Sequence, residues 1–403
     1  MPPEPPELAA RGAFAETFGG AGPTVVAVAP GRVELLGNHT DYNGGLVLAA
    51  AVDRHTVVVG RPTAGPLGRV RAVAFGQTDE FPVAGPERGE PGSWPRYVRG
   101  VVWALSETRQ ARGGFDAAVV GDVPLGAGLS SSASLQASLA RFLLTAGVFG
   151  DPGDPLDDAQ TMALAQTLRR GENQFVGVSS GLLDQFASLF GRAGHALLLD
   201  CRSLAFERLP FGDEPPAIVV CDSKTSRRLA DGMYNRRFEE CQRVVAYFQA
   251  LRGADAVRWL RDVSPDDLRD HWDALDPVGR LRARHVQTEN DRVRAGADAL
   301  KAGDLAAFGR LMSASHASSR DDFDNSAPAL DALIESAEES PGFLGGKLTG
   351  AGWAGCTVNL VSAPQADAFA AAVSEAQTRR TGVVPDVHVM HAAEGARARR
   401  LTD

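Results

Sequence analysis

Apolar positions along this chain follow two different periods, and the change between them divides it. Early on they fall in short β-type runs. Thr24-Val-Val-Ala-Val-Ala predicts a buried strand running into a turn at Pro30-Gly31. Leu46-Val-Leu-Ala-Ala-Ala-Val and His55-Thr-Val-Val-Val predict further strands, and Val70-Arg-Ala-Val-Ala-Phe alternates in the same manner. Residues 97–109 read as a helix, and Phe115-Asp-Ala-Ala-Val-Val returns to strand. Helical patterns follow at 132–147 and 158–175. His195-Ala-Leu-Leu-Leu-Asp and Ala217-Ile-Val-Val-Cys-Asp are strands, separated by Pro-rich punctuation at 210–216. After about residue 227 the helical period takes over, at 233–251, 279–301, 304–318 and 327–338. Thr357-Val-Asn-Leu-Val, an Ala-rich helix from Pro364 to Arg380 and Val387-His-Val-Met close the pattern. The mixed order predicts an α+β fold rather than a doubly wound parallel sheet. There is no internal repeat and no long linker.

A length of 403 residues predicts two domains. Hydrophobic residues at 44% and charged residues at 23% are those of a soluble globular protein. The net charge of −9 argues against a nucleic-acid partner, although a nucleotide needs only a local positive field. Cys201, Cys221, Cys241 and Cys356 are scattered without a Cys-x-x-Cys pair, which predicts a reducing compartment and no zinc site. The N-terminus, Met-Pro-Pro-Glu-Pro-Pro-Glu, lacks the basic and apolar regions of a signal peptide, and residues 1–7 read as a loose tail. No stretch approaches the roughly 18 apolar residues of a membrane span. A cytoplasmic location without membrane association is expected.

The most informative segment is 123–136, Val-Pro-Leu-Gly-Ala-Gly-Leu-Ser-Ser-Ser-Ala-Ser-Leu-Gln. Gly126 and Gly128 make a loop whose backbone can approach an anion. Ser130, Ser131 and Ser132 then open a helical pattern through Leu135, Leu139 and Leu143. A helix N-terminus offers unpaired N–H groups and the positive end of a dipole to phosphate. No lysine lies in the loop, so it is not the Gly-x-x-x-x-Gly-Lys-Ser/Thr phosphate loop. Locally, an ordinary capped helix explains the segment equally well.

Other segments change that balance. Residues 29–43 read Ala-Pro-Gly-Arg-Val-Glu-Leu-Leu-Gly-Asn-His-Thr-Asp-Tyr-Asn, and 346–356 read Gly-Lys-Leu-Thr-Gly-Ala-Gly-Trp-Ala-Gly-Cys. With 123–136, these resemble the signature set of the GHMP small-molecule kinases, specifically the galactokinases. The resemblance extends to Glu172-Asn-Gln-Phe-Val-Gly-Val, Gly181-Leu-Leu-Asp-Gln and Ser315-His-Ala-Ser-Ser-Arg-Asp-Asp-Phe, so it covers residues from about 29 to about 360. It implies two α+β lobes with the active site between them, an N-terminal lobe over 1–205 and a C-terminal lobe over 206–403. The implied activity is ATP-dependent phosphorylation of galactose at the C1 hydroxyl. The implied protein works on small molecules as a monomer or weak oligomer.

Read alone, Asp184 is a helix cap or a surface charge. The resemblance makes it the base that takes the sugar C1 proton, with Arg32 beside it. A positioned carboxylate can take that proton as the phosphoryl group arrives, and a guanidinium stabilises the charges involved. Glu172 alone is a solvated helix face; by resemblance it and Ser132 hold Mg²⁺, an oxygen-seeking ion. Gly126, Gly128, Leu129, Ser130, Ser131, Ser132 and Ala133 are implied to bind ATP. Trp94 is implied to lie near adenine, where an indole can stack, although packing explains a tryptophan as well. Asn38, His39, Asp41, Gly181 and Tyr234 are implied to meet the sugar. His39 and Tyr234 could equally be structural, and His285 and His316 read as helix-packing residues.

The first segment departs from the family. The usual form is Gly-Arg-Val-Asn-Leu-Ile-Gly-Glu-His-Thr-Asp-Tyr; here Glu34 stands for that asparagine and Asn38 for that glutamate. An amide still donates and accepts hydrogen bonds but carries no charge. With Asn38 facing the sugar, the exchange is either compensated, leaving galactose as substrate, or it marks another sugar such as galacturonate, arabinose or an amino sugar. A galactokinase-like sensor without activity is the remaining alternative; the full Ser-rich loop, Arg32 and Asp184 argue against it. Gly350-Ala-Gly352-Trp-Ala-Gly355 satisfies Gly-x-Gly-x-x-Gly, but a β-rich run follows instead of a helix, so it is not a dinucleotide site.

Overall fold

The β-rich runs expected on either side of Asp53-Arg54 form one long strand. The computed structural model describes residues 5–124, 126–150, 156–178, 180–225 and 232–401. Residues 1–4 of the expected tail and Leu125 of the Gly-rich loop lie outside them; Pro6 already opens helix α1 (Pro6–Phe18). Strand β1 (Val25–Leu36) does not stop at Pro30-Gly31 but continues through it beside β2 (Leu46–Thr63). The pairing shifts register between Pro30 and Gly31, which pair with His55 and Val52. Such an irregularity is where a residue lacking an N–H is tolerated within a sheet.

Strands β3 (Leu67–Ala72), β4 (Gln77–Pro82), β5 (Gly114–Gly121), β6 (His195–Asp200) and β7 (Phe206–Pro210) join β1 and β2. β3 runs parallel to β5, and the other pairings are antiparallel. The second sheet has the order β11–β8–β10–β9, from β8 (Ala217–Asp222), β9 (Phe343–Leu348), β10 (Cys356–Val361) and β11 (Asp386–Met390). The last strand, β12 (Arg397–Arg400), returns to the first sheet beside β1. The division expected near residue 205 therefore falls inside the β6–β7 hairpin, and both ends of the chain meet in the first sheet.

Helices α2 (Trp94–Ser106), α3 (Ser131–Thr145), α4 (Asp158–Arg170) and α5 (Leu183–Phe190) cover the first sheet around Phe115, Phe142, Leu143 and Phe186. Past residue 232 come α6 (Met233–Arg252), α7 (Pro265–Asp270), α8 (Pro277–Lys301), α9 (Leu305–Ser318), α10 (Pro328–Glu338) and α11 (Ala366–Thr381). A second core, with Leu36, Leu48, Val293, Phe308 and Leu360, fuses β1 and β2 to α8, α9 and the second sheet. Burying that shared apolar surface, at about 25 cal/mol per Å², makes the two halves one body with a cleft along the seam. Helices α10 and α11 cover the far face of the second sheet through Leu333 and Phe369. The α+β reading is correct. Among the described residues, no helix is long and apolar enough to cross a membrane.

Candidate active site

The cleft is a cavity of about 550 Å³ bordered by β1, the loop before α3, the start of α5, Tyr234 and the 350–352 loop. Alternation along β1 puts Arg32 and Glu34 on one face, opposite Val33 and Leu35, which enter the core. In α5, Leu183, Phe186, Ala187 and Phe190 recur at helical spacing and are buried, leaving Asp184 at the cleft end. Ser188 Oγ donates to Pro30 O at 2.7 Å and pins α5 to β1.

Arg32 thus meets Asp184. Its Nε and Nη2 donate to Asp184 Oδ1 at 2.8 Å and 2.5 Å, and its Nη1 donates to Gly128 O at 2.5 Å. Ser130 Oγ donates to the other carboxylate oxygen, Oδ2. Ser130 takes up this position with φ 53°, in the left-handed region, after Gly126 and Gly128 at φ 81° and 74°. The first helical hydrogen bond of α3 runs from Ser134 N to Ser130 O. The N–H groups of Ser131, Ser132 and Ala133 therefore have no helical partner, as an anion site requires. Ser134 anchors the helix through Ala29 O and Thr56 Oγ1, both at 2.8 Å.

Glu172 opens a π-helical turn, 171–176, that extends α4 and lines the cleft. Ser180 Oγ and Gln185 Nε2 donate to its Oε2 at 2.7 Å and 2.6 Å. Burial, and then the nearby Asp184 charge, push its carboxyl above the usual range. The same kind of crowding acts on Asp41, whose pKa is pushed up to about 7 by burial, Glu34 and Asp184. Gly181 packs so closely that a Cβ there would lie 1.7 Å from Asp41 Oδ2. Any side chain at 181 would displace the carboxylate.

The 37–45 turn is held from beneath. Glu289 of α8 is fully buried and accepts from Gly37 N at 2.8 Å, Asn38 N at 3.2 Å and Ser315 Oγ at 2.6 Å. Burial opposes its charge, but Arg292, His285 and Lys347 hold its pKa down to about 2. His39 is buried, and burial pushes its pKa down to about 3, so the ring is neutral. Its Nε2 donates to Ala351 O at 3.0 Å, and its Nδ1 then accepts from Tyr42 at 2.8 Å. Both ring nitrogens are engaged within the protein. Tyr234 lies 5.3 Å from the His39 ring and borders the cleft.

Asn38 borders the cleft together with Glu34, but its side-chain amide is engaged within the protein. The residue is 1% exposed. Its Nδ2 donates to Glu34 Oε1 and to Gly350 O, each at 3.0 Å. Its Oδ1 accepts from Asn325 Nδ2 at 2.8 Å and Ser319 Oγ at 3.3 Å. Lys347, fully buried, donates to Glu34 Oε1 at 2.8 Å and so neutralises the carboxylate. The exchanged residues are therefore in direct contact.

Trp94 is not among the residues lining the cleft; Tyr97, one turn further along α2, is. Trp94 Nε1 donates to Gln77 Oε1 at 2.9 Å, and its ring lies parallel to that of Phe75. The Gly350–Gly355 run joins the antiparallel strands β9 and β10, as the absence of a following helix predicts. A larger cavity, about 950 Å³, is lined by Arg192, His195 and Arg208 on another side of the first lobe and holds none of these groups. Sequence reasoning missed Glu289, Asn325, Gln185 and the partnership of Lys347. Lys347 and Gln185 carried a signal, their places in the third glycine-rich segment and in Gly181-Leu-Leu-Asp-Gln; Glu289 and Asn325 carried none. Among the described residues no three His, Cys, Asp or Glu side chains form a self-contained metal centre.

Known proteins resemble this chain along nearly its whole length. The family model for the galactokinase galactose-binding signature matches residues 12–62. Those for the GHMP kinase N-terminal and C-terminal domains match 96–192 and 297–378. A galactokinase of Roseiflexus sp. is 42% identical over 381 residues, 93% of each chain. The human galactokinase is 40% identical over 395 residues, 96% of this chain and 95% of that one. The crystal structure of Lactococcus lactis galactokinase complexed with galactose superposes with a TM-score of 0.86 at 32% identity, covering 96% of this chain and 98% of that one. The mevalonate kinase of Methanococcus jannaschii, at 15% identity and a TM-score of 0.64, shares the fold. With the cleft built as described and relatives of this similarity spanning nearly its whole length, the chain belongs to the galactokinase family of GHMP kinases.

Proposed function

We propose that this protein transfers the γ-phosphoryl group of ATP to the C1 hydroxyl of galactose, giving galactose 1-phosphate and ADP. The observation that carries the reading is the Arg32–Asp184 pair beside the open N-terminus of α3. The unpartnered N–H groups of Ser131, Ser132 and Ala133 and the helix dipole receive the ATP phosphates. The sugar lies between Asp184 and Asp41, with Gly181 and Tyr234 beside it. Asp184 takes the C1 proton as that oxygen bonds to the γ-phosphorus, and the bond to the bridging oxygen breaks with its electron pair passing to ADP. Arg32 keeps the carboxylate aimed and offsets charge on the transferring group.

Mg²⁺ fits this site. Glu172 and the Ser132 hydroxyl are oxygen donors at the phosphate end, and Glu172 is a buried carboxylate near Asp184 whose charge a cation would relieve. When bound, the ion neutralises phosphate charge. We place the protein in the cytoplasm, as a monomer or weak oligomer without nucleic-acid or membrane partners. The sugar panel tests the substrate: galactose, galacturonate, arabinose and galactosamine with ATP, following ADP and identifying the phosphorylated carbon. Turnover of galactose to the 1-phosphate is expected. Preference for another member of the panel overturns galactose as the substrate, and ATP turnover with none overturns the kinase reading.

A further inference from the structure

Position 34 lies beside the catalytic pair, and its chemistry is not accounted for by that pair. Arg32 and Glu34 project from the same face of β1, so their side chains start roughly 7 Å apart along the strand. Glu34 Oε1 is saturated by Lys347 Nζ at 2.8 Å and Asn38 Nδ2 at 3.0 Å. Among the described residues nothing donates to Glu34 Oε2, and it is not among the buried polar atoms left without a partner, so it reaches the cleft that Glu34 borders. Asn38, by contrast, spends both amide hydrogens and its carbonyl oxygen on Glu34, Gly350, Asn325 and Ser319. An amide has two donors and two acceptor sites, and all are used here. It has nothing left to offer a ligand.

We propose that Glu34 is a specificity-determining residue of this enzyme: its Oε2 accepts a hydrogen bond from a sugar hydroxyl on the side of the ring remote from C1. Asn38 and Lys347 are positioning residues that hold the other oxygen and fix the carboxylate's direction. Lys347 supplies the compensating charge, 2.8 Å from Glu34 Oε1. A carboxylate accepting from a hydroxyl discriminates strongly, because an analogue without that hydroxyl leaves a desolvated acceptor unpaired. The proposal rests on the sugar-kinase reading and adds the group that reads the far side of the sugar.

The test is a cycle of enzyme against substrate. The kcat/KM is measured for galactose and its 2-, 3-, 4- and 6-deoxy analogues, with the native protein, Glu34→Gln, Glu34→Asp and Asn38→Ala. The native protein is expected to penalise one of the 3-, 4- or 6-deoxy sugars roughly 10- to 100-fold, the worth of a hydrogen bond to a charged group. Glu34→Gln and Glu34→Asp should lose about that factor on galactose and lose the penalty on that one analogue. Asp keeps the charge for Lys347 but withdraws the oxygen, so it serves if Gln at 34 does not fold. Asn38→Ala should lower thermal stability and weaken that same penalty without abolishing it, because Lys347 still holds Glu34 Oε1. Retention of the native pattern by both position-34 variants, or its loss in Asn38→Ala alone, overturns the proposal. If the native protein prefers another sugar, the galactose reading fails separately, and the cycle runs on that sugar's deoxy analogues. If no sugar is phosphorylated or raises the melting temperature, both fail.

Discussion

Arg32 grips one oxygen of Asp184 through two nitrogens, Nε at 2.8 Å and Nη2 at 2.5 Å, while its third nitrogen holds the Gly128 carbonyl. One side chain therefore joins the proposed base on α5 to the loop that leads into α3. Moving either would move both.

Replacement of Asp184 by Asn keeps the shape and removes the base. Turnover should fall roughly 10²- to 10⁴-fold. Galactose should still raise the melting temperature, because Asp41 and Tyr234 remain. Arg32→Lys loses the two-nitrogen grip and should also lower kcat. Near-native turnover in Asp184→Asn would assign the proton to another group.

Ser130 pays for its contact with Asp184 in backbone strain, since φ 53° costs a non-glycine residue roughly 1–3 kcal/mol. Ser130→Gly removes both the hydroxyl and the strain, and Ser130→Ala removes only the hydroxyl. Both should lower kcat by about tenfold or more, the worth of a hydrogen bond to a charged group. The Gly variant should melt higher than the Ala variant. Full activity in Ser130→Ala would show that the hydroxyl plays no part in aligning the carboxylate.

Gln185 is the neighbour of Asp184 in sequence and donates to Glu172 at 2.6 Å. Glu172→Ala and Ser132→Ala should weaken the response to Mg²⁺ more than they weaken galactose binding. Gln185→Leu should do the same to a smaller degree by releasing the Glu172 carboxylate. The measurement is a Mg²⁺ titration at saturating sugar. Unchanged metal dependence in all of them would move the ion elsewhere.

Lys347 and Glu34 form a buried ion pair, with side chains 0% and 8% exposed. Lys347→Met strands the carboxylate and should cost about 3–5 kcal/mol, seen as a lower urea midpoint. Adding Glu34→Gln should recover much of that loss, because the partners are coupled. Additive losses would mean the two charges do not depend on each other.

Asp41 titrates at about 7 in the folded protein, against 3.8 for a free side chain. A raised carboxyl pKa means the fold favours the protonated form. Its stabilising contribution is present in acid and is lost as pH climbs from about 4 through 7. His39 acts in the opposite sense. Its pKa is depressed to about 3, so its contribution is present above 6.5 and lost as pH falls. Asp41→Asn isolates the first effect: its melting temperature relative to the native protein should rise between pH 5 and 7.5. A difference that stays flat across that window would place the Asp41 pKa at its ordinary value.

Local pattern alone was enough for much of this molecule. His195–Asp200 and Ala217–Asp222 are strands with the boundaries their apolar runs predict, and α6, α8, α9 and α10 lie within two residues of theirs. Period is a property of neighbouring residues, so a chain read in one dimension carries it. Chemical identity was legible for the same reason: the Ser-rich loop, Arg32 and Asp184 sit in contiguous segments. Other elements depended on distant partners. β12, Arg-Ala-Arg-Arg, has no strand-like alternation of apolar residues and exists because β1 offers it an edge, Val25 beside Arg400. β1 passes through Pro30-Gly31 because β2 absorbs the irregularity at Asp53-Arg54. The division of labour between Glu34 and Asn38 was likewise invisible in the first motif. It is set by Lys347, Asn325 and Gly350, about 300 residues away, whose charges and hydrogen bonds decide which oxygen is spent and which is free. Side-chain types are written in the sequence; which of their valences remain open is decided only when the fold has filled the others.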